Sequence, residues 1–154
     1  MKKLDEVTAR QIAVSQRTIT QLEKAWGRSH VKLLPAMTRL GDLYFALADY
    51  ANAEQLYWRS LSIACKAYDD GHPVVASSLK QIAEALHAQD RFDEAERLYL
   101  WSFRTSNAIK TSEGDMTPVV CRLASLYRQV DAPIKAKWME HKLGACLSAL
   151  TAAS

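Results

Sequence analysis

The chain repeats itself. Leu40-Gly41-Asp42-Leu43-Tyr44 returns as Ile82-Ala83-Glu84-Ala85-Leu86, and Ala53-Glu54-Gln55-Leu56-Tyr57 returns as Ala95-Glu96-Arg97-Leu98-Tyr99, both 42 residues later. His30 and His72 keep the same offset. A third copy is altered in length: Thr117-Pro118-Val119-Val120 echoes His72-Pro73-Val74-Val75 at 45 residues, but Leu123-Ala124-Ser125-Leu126-Tyr127 echoes Ile82 to Leu86 at 41. That difference of about four residues is one helical turn, so the first helix of the third copy is expected to be a turn shorter, after a longer loop. A period of this size is the mark of stacked supersecondary units.

Within each copy the apolar residues follow a helical period. Leu33, Met37, Leu40, Tyr44 and Leu47 step by threes and fours, and Ala53, Leu56, Tyr57, Leu61 and Ala64 keep the same period with Leu56 and Tyr57 adjacent, so each set lines one face of a helix. The polar segments 48–52 and 88–93 separate the two helices of a pair. Small Gly41, Ala83 and Ala124 mark where helices approach closely, and Tyr44, Leu86 and Tyr127 fill the space beside them. Pro73 and Pro118 suit a first helical turn, where a missing N–H costs little. His30 and His72 stand at helix starts, which suggests capping or loop packing. Residues 23–30 align with 65–72, so the segment before them corresponds to a second helix without its first. The expected order is a lone helix (7–28) and three helix pairs (30–71, 72–115 and 116–151), seven helices in one domain spanning 1–154. A single pair cannot bury its apolar face, so neighbouring pairs must stack into an all-α solenoid.

Composition removes the alternatives. With 5 Gly and 4 Pro, the chain lacks the turn residues that a protein of many short strands requires, and apolar residues spread along its length argue against disorder. A net charge of +3, with acids and bases interspersed, excludes the clustered basic stripe of a nucleic-acid binder. Cys65, Cys121 and Cys146 are odd in number and widely spaced, which suggests free, mostly buried thiols in a reducing compartment. The charged residues after Leu4 interrupt any secretory signal, and no apolar run approaches a membrane span. A cytoplasmic protein with no membrane partner is expected. The histidines His30, His72, His87 and His141 have no metal-ligand spacing. No nucleophile-base pattern, phosphate loop or dinucleotide fingerprint is present, so no catalysis, metal or cofactor is expected.

The pattern of Leu40, Gly41, Tyr44, Ala53 and Tyr57 resembles the tetratricopeptide repeat family. The stretches His72-Pro73-Val74-Val75-Ala76-Ser77-Ser78-Leu79 and Phe92-Asp93-Glu94-Ala95-Glu96-Arg97-Leu98-Tyr99 are similar to the longer repeats of kinesin light chains. The resemblance covers residues 7–150 and is weakest in the last unit, where Glu140 replaces the aromatic of Tyr57 and Tyr99. It implies antiparallel helix pairs coiled into a right-handed superhelix, whose first helices line a concave, peptide-binding groove. Carried onto this chain, the groove residues are Thr38, Asp42 and Phe45; Lys80, Glu84 and His87; and Cys121, Ser125 and Arg128. Arg39, Gln81 and Arg122 are their neighbours. Asparagines favoured by kinesin light chains are absent from Thr38-Arg39 and Lys80-Gln81, so the same cargo peptides are not expected.

Lys80, His87, Arg122 and Arg128, with Arg39 beside them, suggest a mildly basic wall for an acidic peptide or a chain-terminal carboxylate, or else solvated charges on an exposed face. Phe45 is a ligand anchor or packs against a neighbouring helix. Trp58, Trp101 and Trp138 are candidate interface residues, since exposed tryptophans mark contacts between proteins. The lone first helix and the apolar run from Leu143 to Leu150 leave both ends without polar caps, which suits a segment of a longer array or ends that dock on another chain. The sequence therefore indicates a protein-binding scaffold. Its rivals are a self-assembling structural module and a regulatory segment of a larger signalling protein.

Overall fold

A computed structural model describes residues 6–108 and 117–141 of the chain, which contain no strand. Cys146 and the apolar run 143–150 lie outside them. The helices are α1 (Glu6–Trp26), α2 (Leu34–Ala46), α3 (Tyr50–Ala67), α4 (Pro73–His87), α5 (Phe92–Ala108) and α6 (Thr117–Gln129), and residues 133–141 form the described part of α7. They fall into two compact units, Met1–Asp70 and Gly71–Ser154. The first holds α1 to α3 and the second α4 to α7. α6 is 13 residues long against 15 for α4, a shortening of half the expected turn.

In the first unit, α2 and α3 pack as an antiparallel hairpin around Met37, Leu40, Ala53, Tyr57 and Leu61, all buried. Gly41 permits the close approach: a Cβ there would lie 2.5 Å from Tyr57 Cε1. α1 lies along α2, and its Gln16 Nε2 donates to the Tyr44 hydroxyl at 3.0 Å. Arg59 of α3 pairs with Glu23 and donates to the Arg28 carbonyl at 2.9 Å, fixing the end of α1.

In the second unit, α4 and α5 form the equivalent hairpin around Leu79, Ile82, Ala83, Ala95 and Tyr99. The buried Ser102 hydroxyl donates to the Ala76 carbonyl at 2.8 Å. α6 adds Val120, Leu123, Leu126 and Tyr127 to this core, and α7 adds Ala136 and Met139.

The ends of the helices follow the repeat. His72 caps α4 by accepting from the Val74 N–H through Nδ1 at 3.2 Å. His30 accepts from Lys32 in the same way at 3.2 Å, but it opens a short 3₁₀ turn, Val31–Leu33. The cause is Pro35. It has no N–H for the Val31 carbonyl, and Leu34 donates to that carbonyl instead. Each hairpin turn holds one non-glycine residue in the left-handed region: Ala48 (φ 62°), Asp90 (φ 59°) and Asp131 (φ 52°). Three matching bonds, Asp49 to Tyr44, Arg91 to Leu86 and Ala132 to Tyr127 at 2.8–3.0 Å, close the same Schellman turn three times.

Candidate functional site

The twelve expected groove residues lie on first helices. Thr38, Arg39, Asp42 and Phe45 are on α2, in the first unit. Lys80, Gln81, Glu84 and His87 are on α4, and Cys121, Arg122, Ser125 and Arg128 on α6, in the second.

On α2, Asp42 accepts from the Tyr57 hydroxyl at 2.6 Å. Phe45 is half-buried and meets Tyr50 edge-on, with centroids 5.2 Å apart. On α4 the residue 42 positions later, His87, meets Phe92 edge-on at 5.6 Å. Both pairs span a hairpin turn, so Phe45 and His87 help to close their turns.

α4 and α6 are joined by side chains. Arg122 Nε lies 3.0 Å from Glu84 Oε1, and His87 Nε2 lies 2.6 Å from Gln129 Oε1. Arg128 pairs with Glu140. Arg122 and Arg128 of the expected basic wall are thus held by carboxylates. Lys80 forms no ion pair among the described residues. Glu84 bonds outward to Arg122, whereas its counterpart Asp42 bonds inward to Tyr57. Among the described residues the buried Tyr99 hydroxyl has no hydrogen-bond partner. Burial, and then the nearby Glu84 charge, push the Tyr99 phenol well above its usual range.

A cluster outside the expected set joins α5, α6 and α7. Glu96 Oε1 accepts from the Tyr127 hydroxyl at 2.8 Å and from Lys135 Nζ at 3.0 Å. Burial pulls the Glu96 carboxyl upward, but these two bonds hold it below its ordinary value. The Tyr127 phenol is raised by burial and by donating to Glu96.

A second unexpected feature is a groove of about 440 Å³ between α1 and α2. Arg10, Gln11, Val14, Ser15, Thr18 and Leu22 line it from α1, and Lys32, Pro35, Ala36 and Arg39 from the other side. No acidic residue appears among these described lining residues. Lys32 Nζ also sits 3.5 Å from the centroid of the Trp26 ring.

Trp58, Trp101 and Trp138 are 42%, 45% and 52% exposed. Cys65 and Cys121 are exposed free thiols, not the buried ones expected. Cys65 follows the core residue Ala64 on α3, and Cys121 follows Val120 on α6, so the helical turn carries each outward. The described residues hold no cluster that could bind a metal ion and no helix long and apolar enough to cross a membrane.

Paired helices repeated in register, with one small residue against one tyrosine, define a helical-repeat protein. The tetratricopeptide repeat profile matches residues 32–108, half of the chain. The chain belongs to the tetratricopeptide repeat family, whose repeats are protein-interaction scaffolds. No curated protein matches it by sequence. Among solved structures it is similar to the nearly identical repeats of a kinesin light chain from Podosopora anserina, with a TM-score of 0.79 and 17% identity over 92% of this chain and 67% of that one. It is also similar to BtubC (BKLC) from P. vanneervenii, with a TM-score of 0.75 and 21% identity over 96% of this chain and 59% of that one. These likenesses concern the fold.

Proposed function

We propose that this scaffold binds a segment of a partner protein along the first helices α4 and α6. The pairing of Arg122 with Glu84 carries the reading, because it fixes the two helices side by side and sets their exposed side chains at constant spacing. Lys80 lies one turn before Glu84 on α4, while Cys121, Ser125 and Arg128 follow one face of α6. Unpaired Lys80 supplies positive charge, and a rigid receptor loses little entropy on binding. Thr38, Arg39, Asp42 and Phe45 are the corresponding candidates on α2, in the first unit. The family resemblance supports a cytoplasmic protein with a protein or peptide as its ligand and no enzymatic role.

The test is a random-peptide display library panned on the wild-type protein and on Lys80→Glu/Arg128→Glu. Peptides enriched on the wild type should lose about tenfold or more in affinity for the variant. Equal affinity, or no enrichment, would remove this surface as the site.

Self-assembly is the second reading, favoured by the exposure of Trp58, Trp101 and Trp138. It requires a mass in sedimentation that rises with concentration and returns to the monomer's when these tryptophans are changed to serine.

A further inference from the structure

The α1–α2 groove stands where a first helix belongs. By the 42-residue register, Gln11, Ser15, Thr18 and Leu22 of α1 correspond to Ala53, Tyr57, Ser60 and Ala64 of α3, and to Ala95, Tyr99, Ser102 and Ser106 of α5. In α3 and α5 this is the face turned toward the hairpin's first helix: Tyr57 packs on Gly41, and Ser102 bonds to Ala76. In α1 the same four positions line the groove. Among the described residues no first helix other than α2 borders them, although Ser15 is itself buried.

The second unit shows such a berth filled. There α4 lies against α5 and α6, and its Glu84 pairs with Arg122 of α6 at 3.0 Å. Arg122 corresponds to Gln81 and, one repeat earlier, to Arg39. Arg39 lines the α1–α2 groove and forms no ion pair among the described residues. Arg10 across the groove likewise forms no ion pair among the described residues.

We infer that the α1–α2 groove is a docking berth for an amphipathic helix of a partner protein, one that presents a carboxylate to Arg39 as Glu84 presents one to Arg122. The partner helix lies along Gln11, Ser15, Thr18 and Leu22. Its apolar stripe covers Val14, which is 56% exposed, and Leu22. Charge complementarity selects it: Arg10, Lys32 and Arg39 ring the groove with no acid among the described lining residues. Size selects it too. Gly41 is forced small by Tyr57, whereas Ser15, a far smaller side chain that is 5% exposed in the groove lining, occupies the tyrosine position here and does not impose the same limit on the residue opposite it. This berth is distinct from the α4–α6 surface proposed above and shares with that proposal only Arg39, one of its α2 candidates.

The probe is a fluorescein-labelled synthetic peptide with the sequence of residues 73–88, carrying Ala83→Leu to fill the space over Ser15. A twin peptide carries Glu84→Lys as well. Anisotropy titrations against the whole chain should show saturable binding of the first peptide and about tenfold weaker binding of the twin. Arg39→Glu, a change at an exposed side chain, should reverse that order, with its thermal transition unchanged. The Lys80→Glu/Arg128→Glu protein should bind the first peptide as the wild type does, which separates this proposal from the one above. Equal binding of the two peptides, an unreversed order with Arg39→Glu, or no saturable binding would each overturn the inference. A wild-type dimer in sedimentation that Arg39→Glu converts to monomer would also overturn it, by assigning the berth to a second copy of the chain.

Discussion

The Tyr57 hydroxyl donates to Asp42 Oδ1 at 2.6 Å, joining the second helix of the first hairpin to its first. One repeat later the geometry is kept and the bond is not. Tyr99 is fully buried and its hydroxyl has no partner among the described residues, while Glu84 turns to Arg122. Removing a satisfied buried hydroxyl costs about 1 kcal/mol, and removing an unsatisfied one costs nothing or stabilises. Tyr57→Phe should therefore lower stability by about 1 kcal/mol, and Tyr99→Phe should leave it unchanged or raise it. Urea denaturation of both variants reads the contrast. An equal loss in the two would refute it.

Gly41→Ala pits two effects against each other. Alanine gains about 1 kcal/mol in helix propensity. Its Cβ would sit 2.5 Å from a ring atom of Tyr57, which is 2% exposed and tethered to Asp42. Overpacking of this kind costs about 1–3 kcal/mol, so a net loss is expected. Placing Gly41→Ala on a Tyr57→Leu background should convert the loss to a gain, measured as a double-mutant cycle by thermal denaturation.

Ala48 holds φ at 62°, a region that costs a residue with a Cβ about 1–2 kcal/mol. Ala48→Gly should raise stability by up to about 1 kcal/mol, since glycine adopts the conformation without strain. Asp90→Gly and Asp131→Gly should gain less, because a short polar side chain eases the left-handed region. A loss of stability in Ala48→Gly would contradict this.

His72 accepts from the Val74 N–H through Nδ1 and so caps α4. His72→Ala should cost about 0.5–2 kcal/mol, and His72→Asn should recover most of it. Hydrogen exchange at Val74 should speed in the alanine variant and return toward the wild-type rate in the asparagine variant.

Much of this was legible in the residues. Two copies at 42 residues placed both hairpins, the close approach at Gly41 and the histidines at helix starts, because each is local or repeats in register; the ring that fills the space beside Gly41 is that of Tyr57, not Tyr44 as expected. The 3₁₀ turn at Val31–Leu33 was not read from the sequence, where His30 pointed to an α-helix start like that at His72. The site was legible only as positions on helices. Which cation stays unpaired depends on partners up to 39 residues away, as for Lys135 and Glu96. Cys65 and Cys121 looked buried by residue type, and the rotation of their helices turned them out.

By itself, the sequence determined that this chain is a set of helix pairs of the tetratricopeptide family, because helical period and repeat register are written into consecutive residues. Tertiary structure alone decided that Arg122 is neutralised while Lys80 and Arg39 are not, that Tyr99 is orphaned while Tyr57 is satisfied, and that α1 and α2 enclose a basic groove. Each of those outcomes depends on which side chains distant in the chain meet across a helix interface, and composition and periodicity do not encode such meetings.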